Sequence, residues 1–429
     1  MVIAHAPSPS TAAPRAAAPA PASRPAGRDS GIDLVRALCL VVIMVLHALQ
    51  VSATTGVSGP QLEYATSGTS WYPPLTWLLQ VMPLFFVIGG FAGAIAHRRR
   101  RARGAGAASF VVGRVHRLLV PATATIAAAG LALAMLLAAG VPAELVGEIG
   151  VRFGEPLWFL GVFLGAQAVL PALLGAHERA PLATLLALAS GAVAVDVLAR
   201  TSGIGAIGYA NLALVWLALQ QLGFFLAEGR LEAVAPRWRA LGGAGAIALL
   251  VVAVGAGAYS PDLIANMNPP TAALLLLGAA QTAALSLLRA PLAVWSRRPR
   301  VAAFTEFVTA RSMTMYLWNL PVLLVMAGAS VLLATSTGRA LPAPSSGAWW
   351  LTRPLWIALA LALTAAAGLL LGRLERLPPP AAPTTSQRRA AQAVLLALAG
   401  VLLLLVAGTS PGTVPLALGA LVLALSRLR

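Results

Sequence analysis

The stretch Ile32–Val51 reads IDLVRALCLVVIMVLHALQV. It is apolar for long enough to cross a bilayer core, which takes about 20 helical residues. It also holds three ionisable groups, Asp33, Arg36 and His47. On a helix Asp33 and Arg36 stand at i and i+3, and eleven residues from Arg36 to His47 close three turns, so all three share one face. The helical rise places Arg36 and His47 about 16 Å apart along the axis. A charge within a span costs at least about 2.5 kcal/mol on insertion scales, which marks this face for function. The plainer alternative is an interfacial Asp33–Arg36 ion pair with His47 a satisfied interior hydrogen-bonder. Val51-Ser52-Ala53 resembles a signal-peptide cleavage site, but the run is too long and too polar for the usual ~7–15-residue core of a signal peptide. We read it as an uncleaved transmembrane helix.

The whole chain has the same character. Of its 429 residues 59% are apolar and only 10% charged, and the mean hydropathy is +0.83. Soluble domains carry about a quarter charged residues, so a multi-span membrane protein is expected. Further apolar runs follow near 75–96, 117–139, 157–174, 181–199, 205–226, 240–259, 270–289, 312–335, 350–371 and 391–408, with a shorter one near 412–427 that contains Pro415. The expected fold is all-α, a polytopic helical bundle of ten core spans with two more at the C-terminus. No internal repeat is visible by eye.

All 30 basic residues are arginine, against 13 acidic ones, for a net charge of +17. They lie between apolar runs and not on an aromatic-interleaved soluble face, which argues against nucleic-acid binding. With the N-terminus inside, the inner loops hold Arg98 to Arg101, Arg103, Arg114, Arg179, Arg230, Arg237, Arg239, Arg297, Arg298, Arg300, Arg373, Arg376, Arg388 and Arg389. The outer loops hold only Arg152, Arg200 and Arg339, with Arg353 opening the tenth span. The positive-inside rule therefore puts both termini in the cytoplasm and the protein in the cell membrane. Residues 1–30, rich in Ala, Pro and Ser, are expected to form a disordered tail. Residues 31–372 form the membrane domain, 373–390 a Pro-rich linker, and 391–429 an appended hairpin.

His47 is the one histidine of five within a span, and imidazole near pKa 6.5 can accept a proton at neutral pH. No second histidine is placed to join it in a metal site, and the lone Cys39 excludes an intrachain disulfide. Arg114 and Arg117, at i and i+3, point from one face where they can grip phosphates. Ordinary positive-inside placement explains them equally well, and explains Arg98 to Arg103 at least as well. Gly89 and Gly90 signal close helix approach. Trp158 fits an interfacial belt. Asn319, two residues before Pro321, puts an amide beside a kink, with Glu306 and Arg311 at the start of that span.

In chain order these motifs resemble the acyltransferase-3 family of integral membrane acyltransferases. Asp33, Arg36 and His47 match its opening acidic–Arg–ten residues–His pattern. Met82 to Phe91 is similar to its second-span FF-x-x-S-G-F block, and Arg114 and Arg117 match its R-x-x-R. Leu157 to Leu160, with Trp158, match its W-F-L block, and Tyr316-Leu317-Trp318 its late Y-L-W-H block. The resemblance covers about residues 29–372. Two positions depart from it. Gly89 stands where Ser is common, and Asn319 where a histidine is common.

The resemblance implies O-acyl transfer, typically acetyl, from a cytoplasmic acyl-CoA (acetyl-CoA in the simplest case) to a hydroxyl of an envelope glycan, a lipid-linked sugar or a small molecule. Arg114 and Arg117 would hold the CoA phosphates. Arg36 would contact the donor or orient Asp33. His47 would act as general base or carry the acyl group transiently. Trp158, Tyr316, Trp318 and Asn319 would line the substrate site, with Asn319 or Trp318 candidates for oxyanion stabilisation. No metal is expected. Two alternatives remain open at this point: a transporter or flippase of a lipid-linked glycan, for which in-span Asp, Arg and His serve equally well, and a degenerate family member that only binds.

Overall fold

The computed structural model describes residues 29–56, 59–378 and 383–429; of the expected tail over 1–30, residues 1–28 lie outside the described residues, while Asp29 and Ser30 cap and begin the first helix. In chain order come α1 (Ser30–Gln50), β1 (Val51–Gly56), β2 (Gly59–Tyr64), α2 (Tyr72–Leu79), α3 (Met82–Ala102), α4 (Ala107–Ala138), α5 (Ala143–Gly154), α6 (Leu157–Arg179), α7 (Pro181–Ser202) and α8 (Asn211–Ala227). There follow α9 (Pro236–Gly255), α10 (Ala273–Trp295), α11 (Pro299–Thr309), α12 (Ser312–Thr337), α13 (Gly347–Leu371), α14 (Gln387–Val406) and α15 (Thr413–Arg427). Short 3-10 turns at Gly205–Ala210 and Gly372–Arg376 lead into α8 and out of α13. Among the described residues eleven helical stretches are long and apolar enough to span a membrane, and α15 is a shorter twelfth apolar helix. The expected polytopic helical bundle is what the chain forms.

Proline sets two breaks inside spans. The second span runs Tyr72–Ala102 but is interrupted at Gln80 and Val81, just before Pro83, whose missing N–H suits only the first turn of a new helix. Gln80 is fully buried there and repairs the break. Its side-chain amide nitrogen donates to Leu263 O (3.0 Å), and its backbone carbonyl accepts from Gln281 Nε2 (2.7 Å). The fourth span runs Ala143–Arg179 and breaks at Pro156, between α5 and α6.

Close backbone approach holds the bundle together, since apolar surface alone gives helices no preference for each other over lipid tails. At the α3–α8 crossing a Cβ on Gly90 would sit 1.9 Å from Gln220 O, and one on Gly223 would sit 2.0 Å from Val87 O. Phe86 stacks on Trp216 at the same crossing, with ring centroids 4.5 Å apart. The α14–α15 hairpin packs on α4, α5 and α6. Gly130 abuts Val414, and a Cβ on Gly150 would meet Thr409 O at 1.9 Å. In contrast, α7 and α9 carry few buried residues and turn Leu182, Leu186, Leu249 and Val252 outward, as lipid-facing helices do.

Three features escape a reading of apolar runs. A two-stranded antiparallel hairpin, β1–β2, follows α1 directly. The short helix α11 precedes the ninth span. Buried Asp196 on α7 accepts from Asn211 Nδ2 (2.8 Å), the Tyr259 hydroxyl (3.0 Å) and Ala272 N (2.8 Å), pinning the α9–α10 connection. Burial, and then the Asp196 charge, push the Tyr259 phenol up to about 12, so it stays a donor at any physiological pH.

On the arginine-rich side, Arg98 bridges Glu178 (3.1 Å) and Glu228, Arg101 bridges Glu178 (2.9 Å), and Arg230 bridges Glu228 (2.7 Å). These arginines tie α3 to the ends of α6 and α8. The α3–α8 crossing yields a test. Gly90→Ala is expected to destabilise by about 1–3 kcal/mol through overpacking, seen as a lower melting temperature in detergent. Gly165→Ala, whose Cβ would meet nothing within 4 Å, should melt like the parent.

Candidate active site

The site is built around α1, which packs against α3, α10, α11, α12 and α13 at the centre of the bundle. Asp29 caps its start, accepting from Gly31 N (3.0 Å) and Ile32 N (3.1 Å). Asp33 and Arg36 form an ion pair on its first turns. Arg36 then opens onto a cavity of about 120 Å³ that Arg114 and Arg117 of α4 also line. Three guanidinium groups from two helices thus converge on one space. Arg114 is half-buried with its guanidinium 5.2 Å from the Phe110 ring centroid, and Arg117 is exposed. Among the described residues neither has a carboxylate within ion-pairing distance.

The walls deeper in are apolar and aromatic: Leu40 and Ile43 of α1, Phe85 of α3, Phe159 and Phe163 of α6, and Tyr316 of α12. Phe159 stacks on Phe163 (5.4 Å between centroids) and meets Tyr316 edge-on (4.9 Å). The Tyr316 hydroxyl donates to Pro156 O (2.8 Å), the carbonyl at the α5–α6 break. One acidic residue lines the cavity, Glu375, from the turn after α13. Its Oε1 accepts from Thr314 N (2.6 Å) at the first turn of α12, and its Oε2 is buried with no partner among the described residues.

Ile43, on the cavity wall, precedes His47 by four residues, so His47 follows on the same face about 6 Å deeper. His47 Nδ1 lies 3.1 Å from Asn319 Oδ1, and Asn319 Nδ2 lies 3.4 Å from Thr364 Oγ1. Asn319 and Thr364 are fully buried, while His47 is half-buried. The last turn of α1 is fixed from α13 as well. Trp356 Nε1 donates to Ala48 O (3.1 Å), and Arg353, caged by Trp349 and Trp356, donates to Val51 O (3.4 Å). These two satisfy carbonyls that a helix end leaves open.

The expected site residues thus fall into two groups on one helix face. Arg36, with Asp33 bound to it, Arg114, Arg117 and Tyr316 gather at the arginine-rich end, and His47 with Asn319 lies deeper. Trp158 is placed differently. It packs half-buried on Trp216 (5.9 Å) and does not line the cavity. Trp318, also half-buried, packs on the central core. Near Trp158, Tyr64 of the hairpin donates to Glu155 while Arg152 lies over its ring (3.8 Å) and 3.5 Å from Glu155. Burial, then the Glu155 contact, pushes the Tyr64 phenol up to about 12. Glu375 and Thr364 were not expected at the site. Glu375 is an acid amid Arg373 and Arg376, and Thr364 is one hydroxyl in an apolar run, so neither stands out in one dimension.

Among the described residues no cluster of three or more His, Cys, Asp or Glu side chains could hold a metal ion. A family model described as an acyltransferase domain, acyltransferase-3, matches residues 29–373. The chain belongs to the acyltransferase-3 family. The match runs from the cap of α1 through α13 and takes in both groups of the candidate site. It stops two residues short of Glu375 and leaves α14 and α15 outside. No curated protein and no solved structure matches the chain. Family and fold together make this a multi-pass membrane acyltransferase. Tyr316→Phe in this acyltransferase would remove the side-chain donor to Pro156 O and leave it the Phe159 amide (3.2 Å). It is expected to cost about 1 kcal/mol, measurable as reduced thermal stability of the purified protein.

Proposed function

We propose that this acyltransferase moves an acyl group, acetyl in the simplest case, from cytoplasmic acyl-CoA to a hydroxyl of an envelope glycan, a lipid-linked sugar or a small molecule. The observation that carries the reading is the arrangement along α1. An arginine cavity lies at one end of its functional face and an imidazole lies deeper on the same face. CoA ends in phosphates at one extremity and a thioester at the other, joined by a long pantetheine arm. Arg114 and Arg117, with Arg36 beside them, offer the phosphates charge-assisted hydrogen bonds. The thioester arm would then run along Leu40 and Ile43 toward His47.

At His47 the imidazole takes the proton of the acceptor hydroxyl. The oxygen attacks the thioester carbonyl carbon, the C–S bond breaks, and the CoA thiolate leaves. The imidazolium returns its proton to that thiolate, so the products are the ester and free CoA. With the arginine-rich side inside the cell, both termini are cytoplasmic and the donor meets the cavity from the compartment that holds it. Family membership favours chemistry over the transporter alternative. The hydrogen bond that Asn319 keeps to His47 favours a working site over a degenerate one.

Thioester turnover by the purified protein in nanodiscs tests this, with a panel of acyl-CoAs and cell-envelope extract as acceptor. His47→Ala should lower CoA release and label transfer by about 100-fold or more. Arg114→Gln and Arg117→Gln should each raise the donor KM by about tenfold and leave kcat nearly unchanged. Full turnover in His47→Ala would remove His47 from the chemistry, and unchanged donor KM in both arginine variants would move the phosphates elsewhere.

A further inference from the structure

Three polar side chains from three helices run in series inside the bundle: His47 on α1, Asn319 on α12 and Thr364 on α13. The steps are 3.1 Å and 3.4 Å. Asn319 is 1% exposed and Thr364 0%, so water does not compete for either. A carboxamide oxygen has lone pairs and no proton. A hydrogen bond between it and imidazole Nδ1 therefore exists only when Nδ1 carries the hydrogen. The neutral ring has one N–H, so Nε2 then holds the lone pair.

The far end of the amide meets the Thr364 hydroxyl, its nitrogen 3.4 Å from Oγ1. Its nitrogen can only donate, and Thr364 Oγ1 has lone pairs to receive it. Turned round, the amide would aim its NH₂ at Nδ1. That would require a bare Nδ1 and move the ring proton to Nε2, where a base must be vacant.

We propose that Asn319 and Thr364 are positioning residues that hold His47 in its Nδ1–H form, with Nε2 free to take a proton from the acceptor hydroxyl. This rests on the reading of His47 as the base. The logic is that of a base oriented by a third group, with a second group fixing the third. When Nε2 gains its proton, the Nδ1 proton stays on the ring and Asn319 Oδ1 supports the imidazolium. A neutral amide does this without adding another buried charge, which a membrane interior penalises. Asn319 is then a working replacement at a position where histidine is common.

The test uses full-length protein in nanodiscs with ¹⁵N-labelled histidine, His47 being assigned by its loss in His47→Gln. The wild type should show a protonated Nδ1 and a bare Nε2. Thr364→Val keeps the side-chain shape and removes the acceptor. It should shift His47 toward the Nε2–H form and lower kcat about tenfold or more, as loss of an outer partner typically does, with the donor KM unchanged. Thr364→Ser should recover both tautomer and turnover. Asn319→Asp presents an acceptor whichever way it turns, so it should keep the proton on Nδ1 and serves if Thr364→Val does not fold. A wild-type ring protonated on Nε2 overturns the inference, as does a Thr364→Val protein with unchanged tautomer and kcat. A tautomer that responds to Thr364→Val while turnover survives His47→Gln upholds the positioning and overturns the base reading.

Discussion

Hydrocarbon offers a polar group no hydrogen bonds, so every ionisable or amide side chain within these spans must find its partner inside the bundle. That constraint accounts for much of the architecture. Asp33 takes Arg36, and His47 takes Asn319, which takes Thr364. Asp196 gathers Asn211, Tyr259 and the Ala272 amide. Gln80 closes the helix break that Pro83 opens. Against this background Arg114 and Arg117 are exceptions. They line a cavity with Arg36, and among the described residues neither meets a carboxylate; on the proposed reading a ligand with phosphates completes them.

The same constraint explains why α1 is central. A helix with three polar groups on one face cannot face lipid, so it is enclosed by α3, α10, α11, α12 and α13. Enclosure in turn needs helices that pack closely, which the glycines at the α3–α8 crossing permit. Support from α13 is threefold: Thr364 behind Asn319, Trp356 on Ala48 O, and Arg353 on Val51 O. The tenth span, in which the sequence singled out only Arg353, thus holds the end of α1 that carries His47.

The spans were legible because hydropathy acts over about 20 residues at a time, and the polar face of α1 was legible because helical spacing is local. What stayed hidden is what depends on contacts between distant segments. Nothing near Asn319 in the chain shows that it meets His47, and Thr364 carries no local signal at all. The apolar run at 75–96 passes straight through Pro83, and only the structure shows the break there and Gln80 closing it. Asp196 bears the same mark as Asp33, a carboxylate within an apolar run. Its three donors from outside its own helix identify it as an anchor for a loop. Glu375 sits among arginines in what reads as a linker, and its place in the cavity follows from the turn that ends α13. Trp158 shows the converse: its motif is local and clear, yet its ring packs on Trp216 away from the cavity.

On the proposed function, the arginine cavity and His47 are two ends of one donor path along α1. The most direct measurement is a single-particle structure in nanodiscs with a non-transferable thioether analogue of acetyl-CoA bound. The expected result is phosphate density between Arg114, Arg117 and Arg36, with the acetyl carbonyl beside His47 Nε2. Analogue density elsewhere on the protein, or phosphates in the cavity with the acetyl end directed away from His47, would contradict it.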